Sequence, residues 1–139
     1  MKIYDMHIHS LGVVNTSAEL LASMEEAGVY GGCVFSNPSP RENPDTGTSF
    51  DERLREVLKW SADSDGRLFP VMRIHPYEDD IFENVKKAVD AGIAAFKFIA
   101  SDYYVNEERP MALFREIAKL GKPIIFHTGI LWNAGVSSD

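Results

Sequence analysis

Asp5, His7 and His9 recur at every second position near the amino terminus, in the run Asp5-Met6-His7-Ile8-His9-Ser10. In an extended strand such residues share one face, so the two imidazoles stand one pleat apart and can grip a single ion, with Asp5 deeper on the same side. Neutral imidazole nitrogen suits Zn²⁺, and also Mn²⁺ or Fe²⁺, at roughly 2 Å; a catalytic ion needs about three protein ligands with one position left open for water. Two histidines are therefore an incomplete set. A third ligand has to come from another part of the chain. Asp5 is placed to accept a hydrogen bond from a ligand ring or to play a buried structural part.

Bringing distant ligands together requires elements that end at one place. Five short apolar or β-branched runs, 3–9, 32–36, 68–75, 94–99 and 123–127, alternate with longer stretches of helical period. This is the pattern of a parallel sheet with crossover helices, an α/β fold. Thr16-Ser17-Ala18-Glu19 is a capping box opening a helix through Glu26, with Leu20, Met24 and Ala27 on one face and Gly28 as a stop. Ser49-Phe50-Asp51-Glu52 is a second box; Leu54, Val57, Leu58 and Ala62 follow at helical spacing, to an end near Asp65-Gly66. Ile81, Val85, Ala88 and Val89 stripe a third helix with acidic Glu78, Asp79 and Asp80 at its positive end. The fourth helix starts around Pro110, buries Leu113, Ile117 and Leu120, and ends at Gly121.

In parallel α/β folds the loops after the strands gather at one rim, where ligands bind. His9, His75 and His127 each close a strand run and His7 lies one pleat before His9, so all four histidines of the chain belong to that rim. Arg73 and His75 alternate onto one face of the third run. They suit a substrate carboxylate, the guanidinium through paired donors, or else a structural salt link before the turn at Pro76. Asp102, Tyr103 and Tyr104 lie on the loop after the fourth run, as pocket lining or as exposed loop residues.

With 139 residues, 45% of them hydrophobic, the chain suits one cored domain, 1–139. A formal net charge of −7 and the lack of a basic stripe argue against nucleic acid or an anionic membrane and leave a small molecule as the expected substrate. Cys33 is the only cysteine, which rules out an internal disulfide; beside Val34 and Phe35 it reads as a buried, inert thiol. Met1-Lys2-Ile3-Tyr4-Asp5 has no signal-peptide core and no apolar run has transmembrane length, so a cytoplasmic setting is expected.

Asp5-Met6-His7-Ile8-His9, the segment from Ala91 to Ile99 (Ala-Gly-Ile-Ala-Ala-Phe-Lys-Phe-Ile), and the segment Gly-Lys-Pro-Ile-Ile-Phe-His-Thr-Gly from Gly121 to Gly129 resemble, in order and spacing, the amidohydrolase superfamily of metal-dependent hydrolases. The likeness is strongest to the amidohydrolase-related branch that includes aminocarboxymuconate-semialdehyde decarboxylase, and it spans essentially the whole chain. It implies a TIM-type (β/α) barrel, with His7, His9 and His127 as metal ligands, Zn²⁺ as the first choice, and water-driven cleavage of a C–N, C–O or related bond. It also implies a site role for Lys97, which in some superfamily members is a modified lysine bridging two metals. The family's barrel has eight strands, typically in about 250 residues, whereas this sequence supplies about five. The family's histidine after the sixth strand and aspartate after the eighth, a ligand and general base, have no counterpart; Asp139 in the tail is not assigned that role. The expectation is thus an amino-terminal part of a barrel, inactive or weakly active alone. It would be a fragment of a longer enzyme, the product of an interrupted reading frame, or a half-barrel that a homo-oligomer or another chain completes, covering its open edge.

Three other functions compete. Nonoxidative decarboxylases of the same branch use a similar site. A polymerase-and-histidinol-phosphatase type of phosphoesterase opens with a similar Asp-x-His-x-His-Ser, but its Thr-Asp-His-like segment is replaced here by Phe35-Ser36-Asn37-Pro38. A non-enzymatic flavodoxin-like sheet would cradle a phosphate at Asn15-Thr16-Ser17, without any Gly-rich fingerprint.

Overall fold

The computed structural model describes residues 1–9 and 16–128. Five parallel strands, β1 (Tyr4–His9), β2 (Gly31–Phe35), β3 (Leu68–Arg73), β4 (Ala95–Phe98) and β5 (Ile124–Phe126), pair in sequential order into one curled sheet. Helices α1 (Ser17–Glu26), α2 (Phe50–Ala62), α3 (Ile81–Asp90) and α4 (Glu108–Lys119) fall between successive strands, which makes a partial (β/α) barrel. The order β1-β2-β3-β4-β5 removes the flavodoxin-like alternative, whose sheet runs 2-1-3-4-5. Among the described residues no helix is long and apolar enough to cross a membrane.

Helices α1 and α2 both open where the sequence places them. Thr16 accepts the Glu19 N–H at α1, and Ser49 and Glu52 cap each other reciprocally at α2. α3 differs: Asp80, at its start, is left-handed (φ 53°) and makes no side-chain cap bond. α4 starts at Glu108, which puts Pro110 inside the first turn. The helices' apolar stripes meet the outer face of the sheet. Leu54 and Val57 of α2, Ile81, Val85 and Ala88 of α3, and Leu113 and Ile117 of α4 pack on Met72, Ile74, Phe96 and Phe98 in the main core. Leu20 and Met24 of α1 join Val34 and Leu68 in a second cluster. Ala27 and Ala62, expected in these stripes, are exposed; Ala27 caps α1 and Ala62 is the last residue of α2.

The inner face carries a smaller cluster, Cys33, Phe35, Val71 and Ala95 with Ile125. Cys33 is buried there as a free thiol, and burial raises its pKa. β1 and β5 end the sheet, with no further strand beside either among the described residues. β1 is exposed along most of its length, including Tyr4 and Met6.

Candidate functional site

β1 is not the regular strand its alternation implies. Its pairing with β2 runs Tyr4↔Gly31 and Asp5↔Gly32, then resumes at Ile8↔Val34 and His9↔Phe35, so three steps on β1 oppose two on β2. The result is a bulge at Met6 and His7, a device that re-aims side chains beside functional sites. Asp5 holds it: its Oδ1 accepts the backbone N–H of His7 at 2.8 Å, and so serves the backbone rather than an imidazole. Gly32 makes room for it, because a Cβ there would lie 2.1 Å from the Asp5 carbonyl oxygen.

The bulge leaves both imidazoles on the inner side. The His7 and His9 rings stand 4.8 Å apart by centroid, their Nε2 atoms approach to 2.8 Å, and both rest on the Phe35 ring at 4.7 and 5.5 Å. One Nε2 donates to the other, so at least one nitrogen of the pair is unprotonated. The Phe35 face strips water from the rings, and this desolvation is the main cause that lowers both pKa values. Lys97 and His127 push His7 further down; for His9 the next cause is His7, followed by Arg73 and Lys97, and its pKa falls to about 4. Both rings are therefore neutral at pH 7, the form that ligates metals.

His127 lies one residue beyond β5, its N–H donating to the Phe98 carbonyl at 2.9 Å. It acts electrostatically on His7 and His9, and its own pKa is lowered by burial, then by Lys97 and Arg73. The three imidazoles thus share one rim and one electrostatic neighbourhood. Two nitrogens about 2.0–2.1 Å from a shared tetrahedral ion stand roughly 3.4 Å apart, so the His7–His9 pair fits a two-point grip after a small opening. The grip is not a finished cage: among the described residues no three His, Cys, Asp or Glu side chains stand close enough to hold an ion.

Arg73 and Lys97 are register partners on β3 and β4 and bring two cations to the same rim. Lys97 is buried with its Nζ 5.3 Å from the Phe35 ring centre, and desolvation, then Arg73, lowers its pKa. Arg73 pairs with Glu42 of the β2–α2 loop, Nη2 to Oε2 at 3.1 Å. Burial raises the Glu42 pKa against the pull of Arg73.

His75 lies two residues past β3 rather than within it and is almost wholly buried. The Tyr77 N–H donates to its Nδ1 at 3.2 Å, which puts the ring proton on Nε2, and that N–H donates to Asp102 Oδ1 at 2.8 Å. Both ring nitrogens are thus engaged within the protein, tying the loop after β3 to the loop after β4. Tyr103 packs edge-on against the His75 ring at 5.0 Å and is buried, whereas Tyr104 is exposed. Ser10, Asn15, Gly129 and Asp139 lie outside the described residues.

Two participants had no signal in the sequence. Arg53, on α2, is completely buried; its Nη1 donates to the Arg73 carbonyl at 2.6 Å and its Nη2 pairs with Glu78, whose Oε1 accepts the His75 N–H at 2.7 Å. Glu42 sits in a loop whose polar composition reads as solvated. A carboxylate three or four residues past Pro38 or Ser39 is too common a pattern to single it out.

No family model matches the chain, and no curated protein matches it. Among solved structures it is similar to the crystal structure of a probable 2-pyrone-4,6-dicarboxylic acid hydrolase from Acinetobacter baumannii with citric acid bound. The TM-score is 0.61 and the identity 14%, over 93% of this chain and 50% of that one. The likeness establishes the fold, and the chain spans half the length of that protein.

Proposed function

We propose that this chain is part of a metal-dependent hydrolase acting on a small carboxylate-bearing molecule, with His7, His9 and His127 holding one divalent cation. Zn²⁺ is the first choice, Mn²⁺ or Fe²⁺ the alternatives. The observation that carries the reading is the convergence of His7 and His9 Nε2 to 2.8 Å, on rings whose pKa values are lowered chiefly by partial desolvation. The hydrolase of the same fold, with its dicarboxylic acid substrate, supports it. When bound, a divalent cation supplies an acidified water and a Lewis acid for the scissile group.

The residues of this chain do the rest of the positioning. Phe35 excludes water from one side of the imidazoles. Arg73 orients the substrate carboxylate, and Lys97 adds a second positive charge beside it, in a one-metal site rather than a bridged pair. His75, with its nitrogens engaged, shapes the rim without touching substrate. The carboxylate base that this chemistry needs is supplied from outside these five strands. The polypeptide alone is accordingly inactive or nearly so, in the cytoplasm as elsewhere.

Calorimetric titration of metal-depleted protein with Zn²⁺ tests the proposal. About one ion per chain is expected, lost in His7→Ala and His9→Ala and kept in His75→Ala. Absence of binding, or its survival in both variants, would overturn the reading.

A further inference from the structure

The Arg73–Glu42 pair is built with one contact where a carboxylate and a guanidinium have two to offer. Both side chains are largely buried, 13% and 4% exposed, and the single contact joins Nη2 to Oε2. The Ser39 N–H donates to that same Oε2 at 3.1 Å. Oε1 of Glu42 and Nε of Arg73, the atoms that a side-on pairing would join, are both shut off from solvent, and neither has a hydrogen-bond partner among the described residues. The cause lies in the loop: the N–H groups of Glu42 and Asn43 both donate to the Ser39 carbonyl at 2.9 Å. That turn, with the Ser39 N–H on Oε2, holds the carboxylate back from the guanidinium edge.

A buried donor and a buried acceptor left unmet are each costly, and the planar Nε–Nη2 edge can donate to two carboxylate oxygens at once. Lys97, opposite Arg73 in register and 3% exposed, forms no ion pair among the described residues. Two buried cations therefore share one half-engaged carboxylate.

We propose that Glu42 is an internal stand-in for a ligand carboxylate, keeping Arg73 paired in the free protein and displaced by a small dicarboxylate. The ligand takes Nε and Nη2 together with one carboxylate, and its second charge answers Lys97. This rests on the reading that Arg73 receives the substrate carboxylate. It makes Glu42 a determinant of affinity, although it touches no reacting atom.

Calorimetric titration with succinate, and with inorganic phosphate as a second probe, tests it on the wild-type chain, Glu42→Gln, Glu42→Ala and Arg73→Gln, each first checked for native circular dichroism. Expected is measurable succinate binding by the wild type, tightening at least about tenfold in Glu42→Gln or Glu42→Ala, and loss in Arg73→Gln. Unchanged or weaker succinate binding in both Glu42 variants would overturn the stand-in role while the carboxylate reading of Arg73 survives. Failure of succinate to bind any form, or selection of phosphate over succinate, would overturn both.

Discussion

Arg53→Met probes the support beneath the site. Arg53 is fully buried, and its two donor nitrogens hold the carbonyl of Arg73 and the carboxylate of Glu78, which in turn holds the His75 backbone. Truncating one partner of a buried ion pair leaves the other charge uncompensated, at a cost of about 3–5 kcal/mol. For a domain of this size that is a fall in Tm of roughly 10–20 °C. Adding Glu78→Gln removes the stranded charge while keeping an acceptor for the His75 N–H, so the double variant is expected to recover at least about 1 kcal/mol. Urea unfolding followed by far-ultraviolet circular dichroism gives both values, provided the slope with denaturant stays constant. A cost below about 1 kcal/mol for Arg53→Met, the range of a solvent-exposed pair, would refute the reasoning. A double variant no more stable than the single one would do the same.

Acid should destabilise the fold through His9. Its ring titrates near 6.5 when unfolded and about 4 when folded, so the unfolded chain binds more protons in between. Stability is then complete above about 6.5 and lost as pH falls toward 4. His9→Gln should flatten that slope in a pH series of urea melts; an unchanged slope would place the acid sensitivity elsewhere. Gly32→Ala puts a Cβ 2.1 Å from the Asp5 carbonyl oxygen, and a loss of at least about 2 kcal/mol is expected. Stability within about 0.5 kcal/mol of wild type would mean that the bulge yields freely. Tyr103→Phe deletes a buried hydroxyl that has no hydrogen-bond partner among the described residues, so unfolding should show no loss, with a gain of up to about 1 kcal/mol. A loss of more than that would show the hydroxyl to be bonded.

The order of strands and helices was legible because the apolar period changes from two to 3.6 at each junction, and both capping boxes mark their helices. Strand ends were less so. The run through His75 reads as one strand, yet the ladder to β4 stops at Arg73↔Lys97, one further bond goes from the Ile74 N–H to the Lys97 carbonyl, and the chain then turns into Pro76. The two-residue spacing of His7 and His9 anticipated their shared side, although a bulge with Asp5 as its clasp achieves it rather than plain alternation. Arg53, Glu78 and Glu42 could not be read in advance. A charged residue on a helix or loop looks solvated until its partners, 25 and 31 positions away, are folded against it.

Zn²⁺ soaked into crystals of the metal-depleted protein and located by anomalous scattering tests the central claim most directly. One peak is expected, bonded to Nε2 of His7 and of His9 at roughly 2.0–2.1 Å, with the two Nε2 atoms moved apart from 2.8 Å and His127 turned to the same ion. Rings still hydrogen-bonded to each other with no peak between them, or a peak bound elsewhere in the chain, would contradict it.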